Sequence, residues 1–256
     1  MNRLFVVLFV GLLLISNSYS RERVRVAVAS NFLTALNALK QDFPIDYDLS
    51  ISSGSTSKLY LQIMNGAPFD VFLAADQNSV NQLIKKHKAV VSSQFVYASG
   101  KLVLWGGMRS FDGDALRERL EELNFKRLAI ANPKLAPYGV AAVQVLKAMD
   151  LYSNMEGRLI YGENVSQAFQ FVSSGNTDFG FVAKSQIMNV RDSSSYWEVP
   201  AKLYQPLHQS AILLNRAKEN SSAKHFLTML KSEKVQLWLS SRFGYGSMKT
   251  VRQNSD

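Results

Sequence analysis

Apolar residues recur along this chain in two alternating rhythms. Short runs rich in β-branched and small apolar residues, "VRVAVA" (24–29), "YDLSIS" (47–52) and "PFDVFLAA" (68–75), have the length and bias of buried strands. Between them, "NFLTALNALKQDF" spaces Phe32, Leu36, Leu39 and Phe43 on one helical face. "KLYLQIMNG" likewise pairs Leu59 with Ile63 and Tyr60 with Met64, and stops at Asn65-Gly66. With "SVNQLIKKH" as a short helix, this stretch reads β-α-β-α-β-α, the alternation of a parallel α/β sheet.

A second set begins near residue 100. "KLVLWGG" (101–107) predicts a strand, "DALRERLEEL" (114–123) a charged surface helix and "KRLAIAN" (126–132) a strand. After a Pro-bounded turn, "GVAAVQVLKAMDL" carries Ala142, Leu146 and Met149 in helical register. "GRLIYG" is a strand, and "NVSQAFQFVSSGNTD" a helix capped by Asn164 and stopped at Gly175, with Val165, Phe169 and Val172 on one face. "FGFVA" (179–183) and "SAILLN" (210–215) predict strands, and residues 222–245 one long amphipathic helix. Two α/β lobes of about a hundred residues each fit ordinary domain sizes. No repeat and no Pro/Gly/Ser linker separates them, so the chain is expected to cross between lobes through ordered strands.

The N-terminus is patterned differently. "MNRLFVVLFVGLLLISNSYS" has Arg3, an apolar run from Leu4 to Ile15, and small residues at Ser18 and Ser20, the layout of a signal peptide (1–20) cleaved near Ser20. The run is too short for a comfortable membrane span. The chain has no cysteine, so neither disulfides nor a lipid-bearing cysteine is available, and a periplasmic location is expected. The formal charge of +9 over 256 residues is scattered without aromatic interleaving, which argues against nucleic-acid binding. A mild positive field favours small anions.

Four strand-to-helix junctions share a design: "AVASNF" (27–32), "SGSTSKL" (53–59), "NPKLAPYGV" (132–140) and "YGENVSQ" (161–167). Each sets small or polar residues at a helix N-terminus, where N–H groups lack partners and the helix dipole is positive. In parallel α/β sheets these ends gather at the carboxyl edge of the strands. Each junction taken singly is better explained by N-capping, with Ser30 and Ser55 satisfying local donors; only their conjunction points to an anion. Asp70 and Asp76 bracket a strand and are read as turn-orienting and helix-opening residues. His87, His208 and His225 fall in no metal-ligand spacing, and neither a complete phosphate loop nor G-x-S-x-G is present. No enzyme, no cofactor and no directly ligated metal are expected.

The same segments, with residues 53–77 and their "QIMNGAPFDVFLAADQ" the most specific, resemble the periplasmic molybdate-binding proteins of ABC importers over nearly all of residues 23–250. The resemblance implies a two-lobed type II periplasmic binding-protein fold, each lobe a mostly parallel sheet flanked by helices, with a ligand cleft between them. Lobe I would be 21–100 plus 206–256 and lobe II 101–205. It implies an oxyanion cargo, molybdate or tungstate, held without a cationic side chain: by Ser30 with the N–H of Asn31, by Ser55 and Thr56, and by the backbone N–H groups of Tyr138 and Val165. It also implies a membrane permease as partner and a monomeric receptor. Some members use a tyrosine hydroxyl where this chain has Ala183, and Tyr138 is expected to replace that contact by hydroxyl or backbone. A receptor for sulfate or another tetrahedral oxyanion, a sensor module for an anion-responsive kinase, and a secreted enzyme on the same fold are the alternatives.

Overall fold

The structure is a computed structural model that describes residues 22–107, 112–188, 190 and 196–246. The N-terminal segment read as a signal peptide lies outside the described residues. No helix among those described is long and apolar enough to cross a membrane.

Strands and helices follow the sequence rhythm closely. The first sheet is built from β1 (Arg23–Ala29), β2 (Asp48–Gly54), β3 (Val71–Ala74), β4 (Phe95–Gly100) and β10 (Leu207–Leu213), in the order β2-β1-β3-β10-β4. The second holds β5 (Leu102–Trp105), β6 (Leu128–Ala131), β7 (Leu159–Gly162), β8 (Phe179–Ala183) and β9 (Tyr196–Glu198), in the order β7-β6-β8-β5-β9. Both sheets contain three strands paired in parallel, and then one strand paired antiparallel on both sides, β10 in the first and β5 in the second. Four strands of each sheet therefore point one way and one points back. The two orders are the same design used twice, although no sequence repeat marks it. Strands β4 and β9, which close the two orders, carry no strong pattern in the sequence and were not foreseen.

The helices are α1 (Leu33–Asp42), α2 (Thr56–Met64), α3 (Asn78–Lys85), α4 (Gly113–Glu121), α5 (Pro137–Ala148), α6 (Val165–Ser173), α7 (Lys184–Ile187), α8 (Ser221–Lys231) and α9 (Glu233–Phe243). Apolar stripes bury as their spacing requires: Leu36 and Leu39 of α1, Leu59 and Ile63 of α2, and Ala142 and Leu146 of α5 are all buried. The single long tail helix expected over 222–245 is instead two helices. Ser232 adopts φ −62°, ψ 145°, its hydroxyl donates to the Met229 carbonyl at 2.7 Å and accepts from the Val235 N–H at 3.4 Å. A serine that closes one helix and caps the next lets both pack on the first sheet through Phe226, Leu230, Val235 and Phe243.

The chain passes from the first sheet to the second at Gly100-Lys101, between β4 and β5, and returns between β9 and β10. Both crossings join strands directly or through a single 3₁₀ turn (Ala201–Leu203). Asp70, buried just ahead of β3, accepts the Arg25 N–H at 2.7 Å and pairs with Arg216, tying β1 and the chain after β10 to β3. That is a more structural role than orienting a turn. Asp76 opens α3 by accepting the Ser79 N–H at 2.7 Å.

Candidate functional site

All four junctions meet at one small cavity. It is lined by Ala29, Ser30, Asn31, Gly54, Ser55, Thr56, Ala75, Ala136, Pro137, Tyr138, Asn164 and Val165, and its volume is about 10 Å³. This is well below the roughly 300 Å³ at which pockets for organic ligands begin. The first sheet supplies the ends of β1, β2 and β3; the second supplies the starts of α5 and α6. Every residue named above as a contact, Ser30, Asn31, Ser55, Thr56, Tyr138 and Val165, lines it. No charged residue does.

The local reason for each donor can be read from its neighbours. Ser55 holds the N-cap position of α2, yet its side chain makes no capping bond. Its hydroxyl is buried and has no hydrogen-bond partner in the protein. Capping is thus excluded as its role in this arrangement, and an orphaned buried hydroxyl is costly unless something else occupies it. Thr56 Oγ1 accepts the Ala75 N–H at 3.1 Å, which directs its own proton away from that strand. Ser30 opens a 3₁₀ turn (Ser30–Phe32), again without a side-chain cap. The Asn31 carbonyl accepts the Ser185 hydroxyl at 3.0 Å and the Tyr245 hydroxyl at 2.9 Å, which fixes that turn.

On the other side, α5 starts at Pro137, a residue with no N–H to satisfy, so Tyr138 carries the first backbone donor of that helix. Helix α6 is capped by Asn164, whose side chain accepts from the N–H groups of Ser166 at 3.0 Å and Gln167 at 3.1 Å. That cap takes the second and third donors and leaves the first, Val165, toward the cavity. Three helix N-termini and a 3₁₀ turn thus present neutral donors and a positive dipole field to one point.

The two halves touch around the cavity. Ser57 N–H donates to Leu135 O at 3.2 Å, and the Ser166 hydroxyl donates to Ser30 O at 3.1 Å. At the rim Lys58 pairs with Glu163 at 3.0 Å, both well exposed, so the lysine next to the Ser-Thr pair is turned outward and neutralised. The arrangement is closed. Asp76 follows Ala75 but does not line the cavity, and burial raises its carboxyl pKa against the lowering effect of the Ser79 hydrogen bonds.

The Tyr138 hydroxyl accepts a hydrogen bond from Gln209 Nε2 at 3.3 Å, and Gln209 is not a cavity residue. Burial, with lesser contributions from Tyr245 and Tyr204, raises its pKa and keeps it protonated. Ala183 is fully buried at the end of β8, where its N–H donates to the Gln186 side chain at 3.1 Å. Sequence reasoning missed Gln209, Gln186 and Ser185. The available signal for Gln209 was an amide inside the strand run "LHQSAILL", where a buried polar group demands partners. Among the described residues no group of three or more His, Asp or Glu side chains is placed to hold a metal ion.

The profile of the bacterial extracellular solute-binding proteins matches residues 24–245. The chain belongs to that family. This solute-binding protein is 40% identical over 250 residues to the molybdate-binding protein ModA of Azotobacter vinelandii, covering 96% of this chain and 98% of that one. It is 36% identical to ModA of Rhodobacter capsulatus, covering 87% of each chain. The solved structure of the Azotobacter vinelandii periplasmic molybdate-binding protein superimposes with a TM-score of 0.82 at 35% identity, over 87% of this chain and 98% of that one. The two-lobed binding-protein fold is therefore this chain's fold, and its family is one of binding proteins rather than enzymes.

Proposed function

We propose that this solute-binding protein captures molybdate or tungstate in the periplasm and delivers it to the membrane permease of an ABC importer. The observation that carries the reading is the buried, unpartnered hydroxyl of Ser55 in a cavity lined only by neutral groups. The Azotobacter and Rhodobacter relatives, named for molybdate binding, support the choice of ion. The ligand set is the hydroxyls of Ser30, Ser55 and Thr56 and the N–H groups of Asn31, Tyr138 and Val165. All of these donate. A tetrahedral oxyanion that is fully deprotonated at neutral pH accepts at every oxygen, whereas hydrogen phosphate brings a proton that needs an acceptor.

The lobes are 21–100 plus 206–256 and 101–205, hinged at the two strand crossings. Closure brings α5 and α6 of lobe II onto the β1 and β2 ends of lobe I and buries the ion among its donors. Residues 1–20 direct export, and the mature receptor acts as a monomer. Calorimetric titration of the mature protein with molybdate, tungstate, sulfate and phosphate tests the proposal. Tight molybdate and tungstate binding with weak sulfate and phosphate binding is expected. Tight sulfate binding without a molybdate response overturns it in favour of a sulfate receptor.

A further inference from the structure

The side chain of Gln209 lies wholly inside the protein and outside the anion cavity, yet it reaches toward both halves of it. Its Oε1 accepts from Asn31 Nδ2 at 2.9 Å and from the Tyr97 hydroxyl at 3.0 Å. Its Nε2 donates to the Tyr138 hydroxyl at 3.3 Å. Asn31 belongs to the first sheet's side of the cavity and Tyr138 to the second's, so one amide spans the two. A β-bulge places it there. Gln209 pairs with Ala98 but Ser210 pairs with Val96, which leaves Tyr97 as the extra residue on β4.

Gly100, the last residue of β4 before the crossing, completes the arrangement. A Cβ at Gly100 would lie 2.2 Å from the Tyr138 hydroxyl oxygen and 2.7 Å from Gln209 Nε2. The tyrosine hydroxyl therefore sits in space that exists only because residue 100 has no side chain. When the halves separate, Tyr138 leaves with the second sheet while Gln209, Asn31 and Tyr97 stay with the first.

We infer that Gln209 is a positioning residue for anion capture: it fixes Asn31 in the open receptor and docks the Tyr138 hydroxyl against Gly100 only on closure, setting the start of α5 over the ion. The inference rests on the oxyanion-binding reading. It assigns the Tyr138 side chain to holding the closed state, while the backbone N–H faces the ligand.

The test is molybdate binding by the mature full-length protein, with dissociation rate followed by stopped-flow fluorescence and closure by small-angle scattering, for Tyr138→Phe, Gly100→Ala and the double variant. Tyr138→Phe keeps the backbone donor and loses one neutral hydrogen bond, so affinity is expected to fall about two- to tenfold, mainly through faster dissociation. Gly100→Ala is expected to weaken binding more and to reduce ligand-induced compaction. Adding Tyr138→Phe to it removes the atom that the new methyl meets first, so the double variant is expected to bind better than Gly100→Ala alone. A Gln209→Met variant combined with Tyr138→Phe is expected to lose less than the product of the single effects, since both act on one contact. Wild-type dissociation rates in Tyr138→Phe, or fully multiplicative losses in the Gln209→Met and Tyr138→Phe pair, overturn the inference while the wild type still binds molybdate. A wild type that binds none of the four anions removes the parent reading instead, and this inference with it.

Discussion

Ser55→Ala separates a ligand-holding hydroxyl from a helix cap by the sign of two measurements. The Ser55 hydroxyl occupies an N-cap position but bonds to nothing in the protein, and it is buried in the closed arrangement. Were it a cap, alanine would cost about 1 kcal/mol of stability, and a chain of this size would melt about 2–4 °C lower without ligand. Because it makes no such bond, the ligand-free variant is expected to melt at the wild-type temperature or slightly above. The anion is where the loss should appear. A hydrogen bond to a charged partner contributes about 1.5–3 kcal/mol, which at about 1.4 kcal/mol per decade is roughly a 10- to 150-fold weaker molybdate affinity. Melting of the ligand-free mature protein gives the first number and calorimetric titration the second. A lower melting temperature with unchanged affinity would refute the reasoning, since that is the signature of a cap.

Three further outcomes follow from particular contacts. Asn164→Ala removes the Oδ1 that accepts from two α6 donors and is expected to cost about 0.5–2 kcal/mol of stability, read by denaturant titration, and to weaken anion binding by loosening the Val165 donor. Lys58→Ala breaks an exposed pair with Glu163, so its effect on affinity is expected to stay below about fivefold at low salt and to vanish at high salt. Burial alone would raise the Glu198 pKa, but hydrogen bonds from Lys101 and Lys184 outweigh it and hold the carboxyl below its ordinary value. A depressed folded pKa contributes stability above the unfolded value and loses it as pH falls through the folded one. Glu198→Gln is therefore expected to flatten the acid side of the melting-temperature profile, with the two profiles converging at the lowest pH.

The alternation of strand and helix patterns determined most of this fold. Val26 and Val28 in β1, or Leu59 and Ile63 in α2, bury where their spacing puts them, because a period of two or of about 3.6 leaves one face apolar. The four junctions were also legible, since small and polar residues after an apolar strand mark a helix start wherever they occur. The sequence could not show that these starts converge, nor whether Ser55 caps or stays open. That depends on strand order, on the direction of β10 and β5, and on which donors Asn164 and Leu135 already occupy. Strands β4 and β9 were invisible because pairing with β10 and β5, rather than local propensity, holds them extended. The break at Ser232 followed from packing two helices on one sheet. Gln209 was decided entirely by tertiary structure: its partners Asn31, Tyr97 and Tyr138 lie 178, 112 and 71 residues away in the chain. Side-chain periodicity is a local property of the backbone and can be read along the chain; a hydrogen bond between distant segments exists only once the sheets have brought them together.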